Sequence, residues 1–221
     1  MAILLIIVGI TLLLFLVMFF RTLQLGEPQY QNANVELQEV DANQAAEHLA
    51  QAIRIKTISK EEMGVGDYDS FKEYHKWLEK TYPTIHKNLR KEIINQYSLL
   101  YYWKGSDPSL KPILLASHLD VVPVDDATLL AWHADPFKGE IKQGFVWGRG
   151  TLDMKNHTIG MFEAVEKMLA DGFQPKRDIY LGLGHDEEIS GKSGAKSIAA
   201  ALKGKGVKLA VVLDEGGMIS H

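Results

Sequence analysis

The sequence contains no cysteine, so it can build neither a disulfide framework nor a thiolate metal site, and any metal must be held by His, Asp and Glu. The same absence leaves the redox compartment open. A basic excess is also missing: 24 Lys and Arg stand against 28 Asp and Glu, a formal net charge of -4. That balance lacks the electrostatic footprint of a nucleic-acid-binding protein, so no nucleic-acid partner is expected. No HExxH occurs, which excludes a zincin-type protease. DEEISGKS, residues 186–193, carries the GKS of a phosphate loop but has Asp186 where that loop needs Gly, and its two Glu side chains would repel phosphates. GLGHDE and GRGTLD start as G-x-G and lack the third Gly of a dinucleotide fingerprint, and GKSGA is not the G-x-S-x-G of a serine hydrolase. No internal repeat is visible.

What is present is ordinary in bulk, with 46% hydrophobic and 24% charged residues over 221 positions, enough for one large domain or a domain with an appendage. The appendage is at the start. Ala2 to Phe20 run without a charge up to Arg21, and as a helix they would span roughly 28 Å, close to the roughly 30 Å hydrocarbon core of a bilayer. A cleaved signal peptide is the competing reading, but its apolar part usually covers about 7–15 residues between basic and small flanks that are missing here. We therefore expect a transmembrane anchor over 2–20. Arg21 alone gives little K/R bias from which to orient it; an extracytoplasmic placement of the domain is the working expectation. Residues 21–40 are polar and aperiodic, with Gly26 and Pro28, and suit a stalk. The domain is expected over 41–221.

Within it, Ala45, Leu49, Ala52 and Ile53 recur at helical spacing after an Asp41 or Asn43 cap, and Phe71, Tyr74, Trp77 and Leu78 do the same in a second helix. The aromatic residues read as core, KEE at 60–62 as a solvated turn, and the Tyr101-Tyr102-Trp103 cluster as structural. EIINQYSLLYYWKG, KPILLASHLD, DIYLGLGHDEE and VKLAVVLDEGG read as strands, with NHTIGMFEAVEKMLADG and SGAKSIAAALKG as helices. This alternation indicates an α/β domain with a largely parallel central sheet.

Three of those apolar strands end in His118-Leu119-Asp120, in Asp186-Glu187-Glu188 and in Asp214-Glu215. In open α/β sheets the binding crevice lies beyond the carboxyl ends of the strands, so these groups should converge there. GRGTLDMKN adds Asp153, between a strand ending near Trp147 and the next helix. His118 and Asp120 are two apart and in a strand point to one face, the spacing at which a carboxylate orients a metal-bound imidazole. HxD alone is weak, since a lone His is more often a satisfied core residue. Several carboxylates gathered in a crevice, however, would raise one another's pKa, and a bound cation is the economical explanation.

ASHLDVVPV, WGRGTLDMKN, GHDEEISG and LDEGG together resemble the co-catalytic di-zinc peptidases that include aminoacylase, acetylornithine deacetylase, succinyl-diaminopimelate desuccinylase and carboxypeptidase S. The Asn of DMKN and the GHDEE form are most similar to the carboxypeptidase S and N-acyl amino acid hydrolase branch. The resemblance implies a zinc-peptidase-like three-layer domain holding two zinc ions. His118 and Asp214 would bind one ion, Glu188 the other, and Asp153 would bridge them. Asp120 would orient His118, and Glu187 would be the general base. The implied substrate is a small peptide or N-acyl amino acid, cleaved at an amide bond next to a free carboxylate. If GHDEE stays extended, adjacent side chains point to opposite sides, which would separate the two glutamates' roles.

In that family a further His ligand and a smaller lid domain, through which some members form homodimers, come from downstream. Neither is found before His221, so the expectation is an N-terminal fragment, lid and C-terminal part absent, with little activity of its own. Readings from other classes are a noncatalytic membrane-tethered binding or pseudo-enzyme domain and, third, a nucleotide-binding protein.

Overall fold

The computed structural model describes residues 1–24, 40–61 and 68–215. Two compact units divide the chain, Met1–Glu39 and Val40–His221. In the first, helix α1 covers Ala2–Gln24 and exposes every residue. It is long and apolar enough to cross a membrane, a property that a signal sequence shares. Of the stalk expected over 21–40, residues 21–24 belong to α1 and 25–39 lie outside the described residues.

The second unit starts with α2, Ala42–Arg54, capped by Asp41, whose carboxylate accepts from the amides of Asn43 and Gln44 at 3.0 Å each. Helices α3 (Asp69–Thr81) and α4 (Pro83–Asn88) follow. Pro83 opens α4 at a position where no helical N–H is lost. Glu166 of α5 (Lys155–Ala170) caps it from a distance, accepting from Thr84 N and Ile85 N at 2.8 Å each. Glu163, one turn earlier, takes Tyr82 Oη at 2.8 Å and His48 Nδ1 at 2.5 Å, so α5 is tied by its polar face to both α2 and α4.

The central sheet holds β1 (Arg90–Ile94), β2 (Ser98–Trp103), β3 (Ile113–His118), β6 (Ile179–Gly184) and β7 (Val211–Leu213) in the order β1-β2-β6-β3-β7. β3 pairs in parallel with β6 and β7, whereas β1–β2 and β2–β6 are antiparallel. The sheet is therefore mixed, and the largely parallel arrangement expected from the α/β alternation holds only for the three strands that lead to the acidic groups. The difference arises at EIINQYSLLYYWKG, which is a hairpin and not one strand. Asn95 and Gln96 in its loop take positive φ, 47° and 72°, without the Asn-Gly pair that usually marks such turns.

Strand alternation sorts the core into two faces. Leu99, Tyr101 and Trp103 of β2, with Leu181 and Leu183 of β6, join Phe71, Tyr74, Leu78, Ile85 and Phe162 under α2–α5. Leu100, Leu114 and Tyr180 face the other way, onto Ile198 and Leu202 of α6, Ala195–Gly204. Helices, sheet and helix make three layers. A separate hairpin, β4 (Glu140–Lys142) and β5 (Phe145–Trp147), lies against α2. Its approach requires Gly139, where a Cβ would stand 2.2 Å from Ala50 O.

One buried cation anchors α5. Lys155 is 1% exposed and donates to Ala52 O at 2.9 Å and Ile55 O at 2.6 Å, carbonyls at the end of α2. Burial pulls its ammonium down to about 7. The folded chain thus sheds this proton while the unfolded chain still holds it, so the stability linked to Lys155 is full above about pH 10.5 and is lost as pH falls through about 7. At pH 10 Lys155→Met is expected to cost about 1–3 kcal/mol, since two buried carbonyls lose their donor. The penalty should shrink at pH 7. Urea unfolding at both pH values tests this, and an equal difference between the two chains at pH 7 and pH 10 would contradict it.

Candidate metal centre

His118 ends β3 and faces Gly184, the last residue of β6, across the parallel pairing, so both strands deliver their following residues to one edge of the sheet. After β3 the chain is held on both sides. Leu119 N donates to Gly184 O at 2.7 Å, and Val121 N donates to Thr57 O at 2.9 Å in a parallel bridge between Ile58 and Val121. Asp120 between them is fully buried.

After β6 the backbone does not stay extended. Glu187–Ile189 form a 3₁₀ turn that leaves through Ser190 at φ 93°. Asp186 closes the turn by accepting from Ser193 N and Gly194 N at 2.7 Å each. Only glycine fits at 194, where a Cβ would lie 2.5 Å from Asp186 Oδ1. The extended reading of GHDEE is thus replaced by a turn, because two acceptors compete for the backbone. Asp186 takes the amides after it, and Asp120 takes the amides of Glu187 (Oδ1, 3.1 Å) and Glu188 (Oδ2, 3.1 Å).

Asp120 also receives Ser59 Oγ on Oδ2 at 2.6 Å, and its Oδ1 lies 3.3 Å from His118 Nδ1. The same ring nitrogen is 3.0 Å from Asp120 O. With Nδ1–H directed at Asp120, Nε2 points outward, 3.1 Å from Asp153 Oδ1. Asp153 comes from the loop before α5, and its side chain is 64% exposed.

Two groups of potential metal donors result among the described residues. His118, Asp153 and Glu188 bring one ligand atom each within 4.8 Å of one another, and so do His118, Glu187 and Glu215. Asp214 is in neither group. It is exposed, and its carboxylate accepts from Glu215 N at 2.9 Å. It does line, with His118, Glu187 and Glu215, a cavity of about 450 Å³ at this edge. The positions 216–217 of LDEGG, and His221, fall outside the described residues.

The charges explain one another. Burial raises the Glu188 carboxyl above its usual range, and the Asp153 charge adds to this. Burial likewise raises Glu215, with Asp153, Glu187 and Asp214 raising it further against the opposing pull of His118. Burial would lower His118, yet the hydrogen bond and charge of Asp120, helped by Glu215 and Glu187, hold it up at about 9. For Asp120, burial opposes ionisation but the hydrogen bonds from His118 and Ser59 prevail and keep it low. The donor set fits zinc: one imidazole nitrogen and carboxylate oxygens, with His118 Nε2 and Asp153 Oδ1 3.1 Å apart, close to the about 3.4 Å edge of a tetrahedral site with bonds of about 2.1 Å.

Sequence spacing does not point to Ser59, 61 positions before Asp120, and the LDEGG resemblance points to Asp214 and not to its neighbour Glu215. Both become visible only through the parallel bridge and the end of β7.

This arrangement meets known proteins at one family. Residues 114–220, just under half of the chain, match the sequence model of peptidase family M20/M25/M40. The chain is 48% identical over 167 residues to carboxypeptidase S of Saccharomyces cerevisiae, covering 72% of this chain and 29% of that protein. It is 42% identical over 185 residues to an N-fatty-acyl-amino acid synthase/hydrolase of Xenopus tropicalis, covering 82% and 35%. The chain thus spans about a third of the length of these curated relatives. The fold is also that of human carnosine dipeptidase 1 (TM-score 0.65, 17% identity, 80% of this chain and 39% of that one). An M20 family metallo-carboxypeptidase from Sulfolobus solfataricus gives TM-score 0.62 at 20% identity, over 79% and 38%.

Asp120 has two acceptor oxygens serving four donors, which an amide cannot imitate. Asp120→Asn is expected to destabilise the domain by about 1.5–3 kcal/mol, the range for hydrogen bonds to a buried charge. Denaturant unfolding checks this, and a loss below about 0.5 kcal/mol would remove Asp120 from its organising place.

Proposed function

We propose that this chain carries the metal-binding part of a zinc-dependent hydrolase that cleaves a peptide or N-acyl amino acid amide bond, of carboxypeptidase or aminoacylase type. The observation that carries the reading is the gathering of His118 Nε2 with the Asp153 and Glu188 carboxylates at the carboxyl ends of β3 and β6. The names of the similar proteins, carboxypeptidase S and N-fatty-acyl-amino acid synthase/hydrolase, support the substrate class.

Two zinc ions, when bound, supply a Lewis acid that acidifies water and polarises a carbonyl oxygen. His118 would offer Nε2 while Asp120 accepts from its Nδ1–H, and the contacts of Nδ1 with Asp120 support the tautomer that a ligand needs. His118, Asp153, Glu188 and, at the end of β7, Asp214 would hold the ions, which would supply that Lewis acidity beside Glu187. Glu187, half exposed and facing the cavity, takes a proton from the attacking water and returns it to the leaving amine. The apolar helix α1 anchors the domain to a membrane, with the domain on the extracytoplasmic side.

In the protein at its native length, Glu187→Gln is expected to keep its zinc content while kcat falls by about 10²–10⁴-fold, the range for loss of a general base. Zinc analysis with hydrolysis of N-acyl amino acids and dipeptides provides the test. A variant within threefold of wild-type kcat would remove Glu187 from this role, and a wild-type protein without zinc would overturn the metal-dependent reading itself.

A further inference from the structure

Asp120 has four side-chain contacts, and one is much shorter than the rest. Ser59 Oγ lies 2.6 Å from Oδ2, within the about 2.5–2.7 Å range of a hydroxyl donating to a carboxylate. The amides of Glu187 and Glu188 and the ring of His118 stand at 3.1, 3.1 and 3.3 Å. Ser59 is 2% exposed and Asp120 fully buried, so water does not replace a missing partner readily.

Ser59 is itself held in place. Its segment follows α2, whose terminal carbonyls are bound by Lys155. Thr57 Oγ1 then donates to Leu119 O at 2.5 Å, Ile58 bridges Val121, and Ser59 N donates to Val121 O at 3.3 Å. The hydroxyl therefore reaches Asp120 from a backbone that is registered against it on both sides. The division of labour at the carboxylate is specific: Oδ2 takes Ser59 and Glu188 N, and Oδ1 takes Glu187 N and faces His118 Nδ1. Rotating the carboxylate out of that plane loses partners on both oxygens at once.

We infer that Ser59 is a positioning residue for this site: its hydroxyl fixes the plane of the Asp120 carboxylate, and through it the His118 imidazole and the turn that presents Glu187 and Glu188. The geometric part of this inference is independent of any metal. Its consequence for zinc affinity rests on the reading of His118 and Glu188 as ligands.

The test uses the whole 221-residue chain in detergent micelles, with amide NMR and calorimetric titration of Zn²⁺. Ser59→Ala is expected to move the amide resonances of Glu187 and Glu188 and to weaken zinc binding about tenfold, the lower end for loss of an outer partner of a metal ligand. Its melting temperature should stay within a few degrees of wild type. Ser59→Thr, which keeps the hydroxyl, should return both readouts towards wild type. If Ser59→Ala melts, Ser59→Cys, close in size and a far weaker donor, takes its place. Unmoved amides with a zinc Kd within twofold of wild type overturn the inference, as does a Ser59→Thr chain as impaired as Ser59→Ala. Should the wild-type chain bind no zinc, the ligand assignment fails and the amide shifts alone decide the role of Ser59.

Discussion

The Asp120 carboxylate is the point through which the site is assembled. It is fully buried, and a buried charge is tolerable only when its lone pairs are satisfied. Its donors come from three separate stretches: Ser59 after α2, His118 at the end of β3, and the amides of Glu187 and Glu188 after β6. Parallel pairing of β3 with β6 places those stretches side by side, but pairing alone does not aim a side chain. The need to satisfy one carboxylate does, because it draws the chain after β6 out of its extended course and into the turn that separates the two glutamates.

The electrostatics of the assembled groups has two causes. Burial raises Glu188 and Glu215, with neighbouring carboxylates adding to it, and His118 is held up at about 9 against its own burial because negative charge accumulates around its imidazole. The nearest buried cation on α5 does not relieve it, since Lys155 is committed to the carbonyls of Ala52 and Ile55. Among the described residues, the fold thus gathers more carboxylates around His118 than one imidazole can balance. A divalent ion held by His118, Asp153 and Glu188 would balance that excess.

Much of this was legible in the residue order. Apolar runs that terminate in HLD, HDEE and DE place strand ends and polar groups together, and the Asp41 cap and the helical spacings of α2 and α3 follow local rules. Other features were not. The hairpin between β1 and β2 turns at Asn95 and Gln96, residues that give no standard turn signal, so the sheet reads as more parallel than it is. The turn at Glu187–Ile189 depends on acceptors in Asp120 and Asp186 that compete for backbone amides, and such competition between distant segments leaves no periodic trace. Ser59 is unreadable for the same reason. The resemblance points to Asp214 and says nothing of Glu215, which in the structure lies 3.7 Å from His118 Nε2, while Asp214 accepts from its neighbour's amide.

Anomalous diffraction at the zinc edge, from crystals of the protein grown with Zn²⁺, addresses the central claim most directly. The expected result is a zinc peak bonded to His118 Nε2, Asp153 and Glu188 at about 2.0–2.2 Å, with Asp120 still holding Nδ1 of the same ring. Zinc-saturated crystals with no peak at these three residues, or with zinc bound only elsewhere, would contradict it.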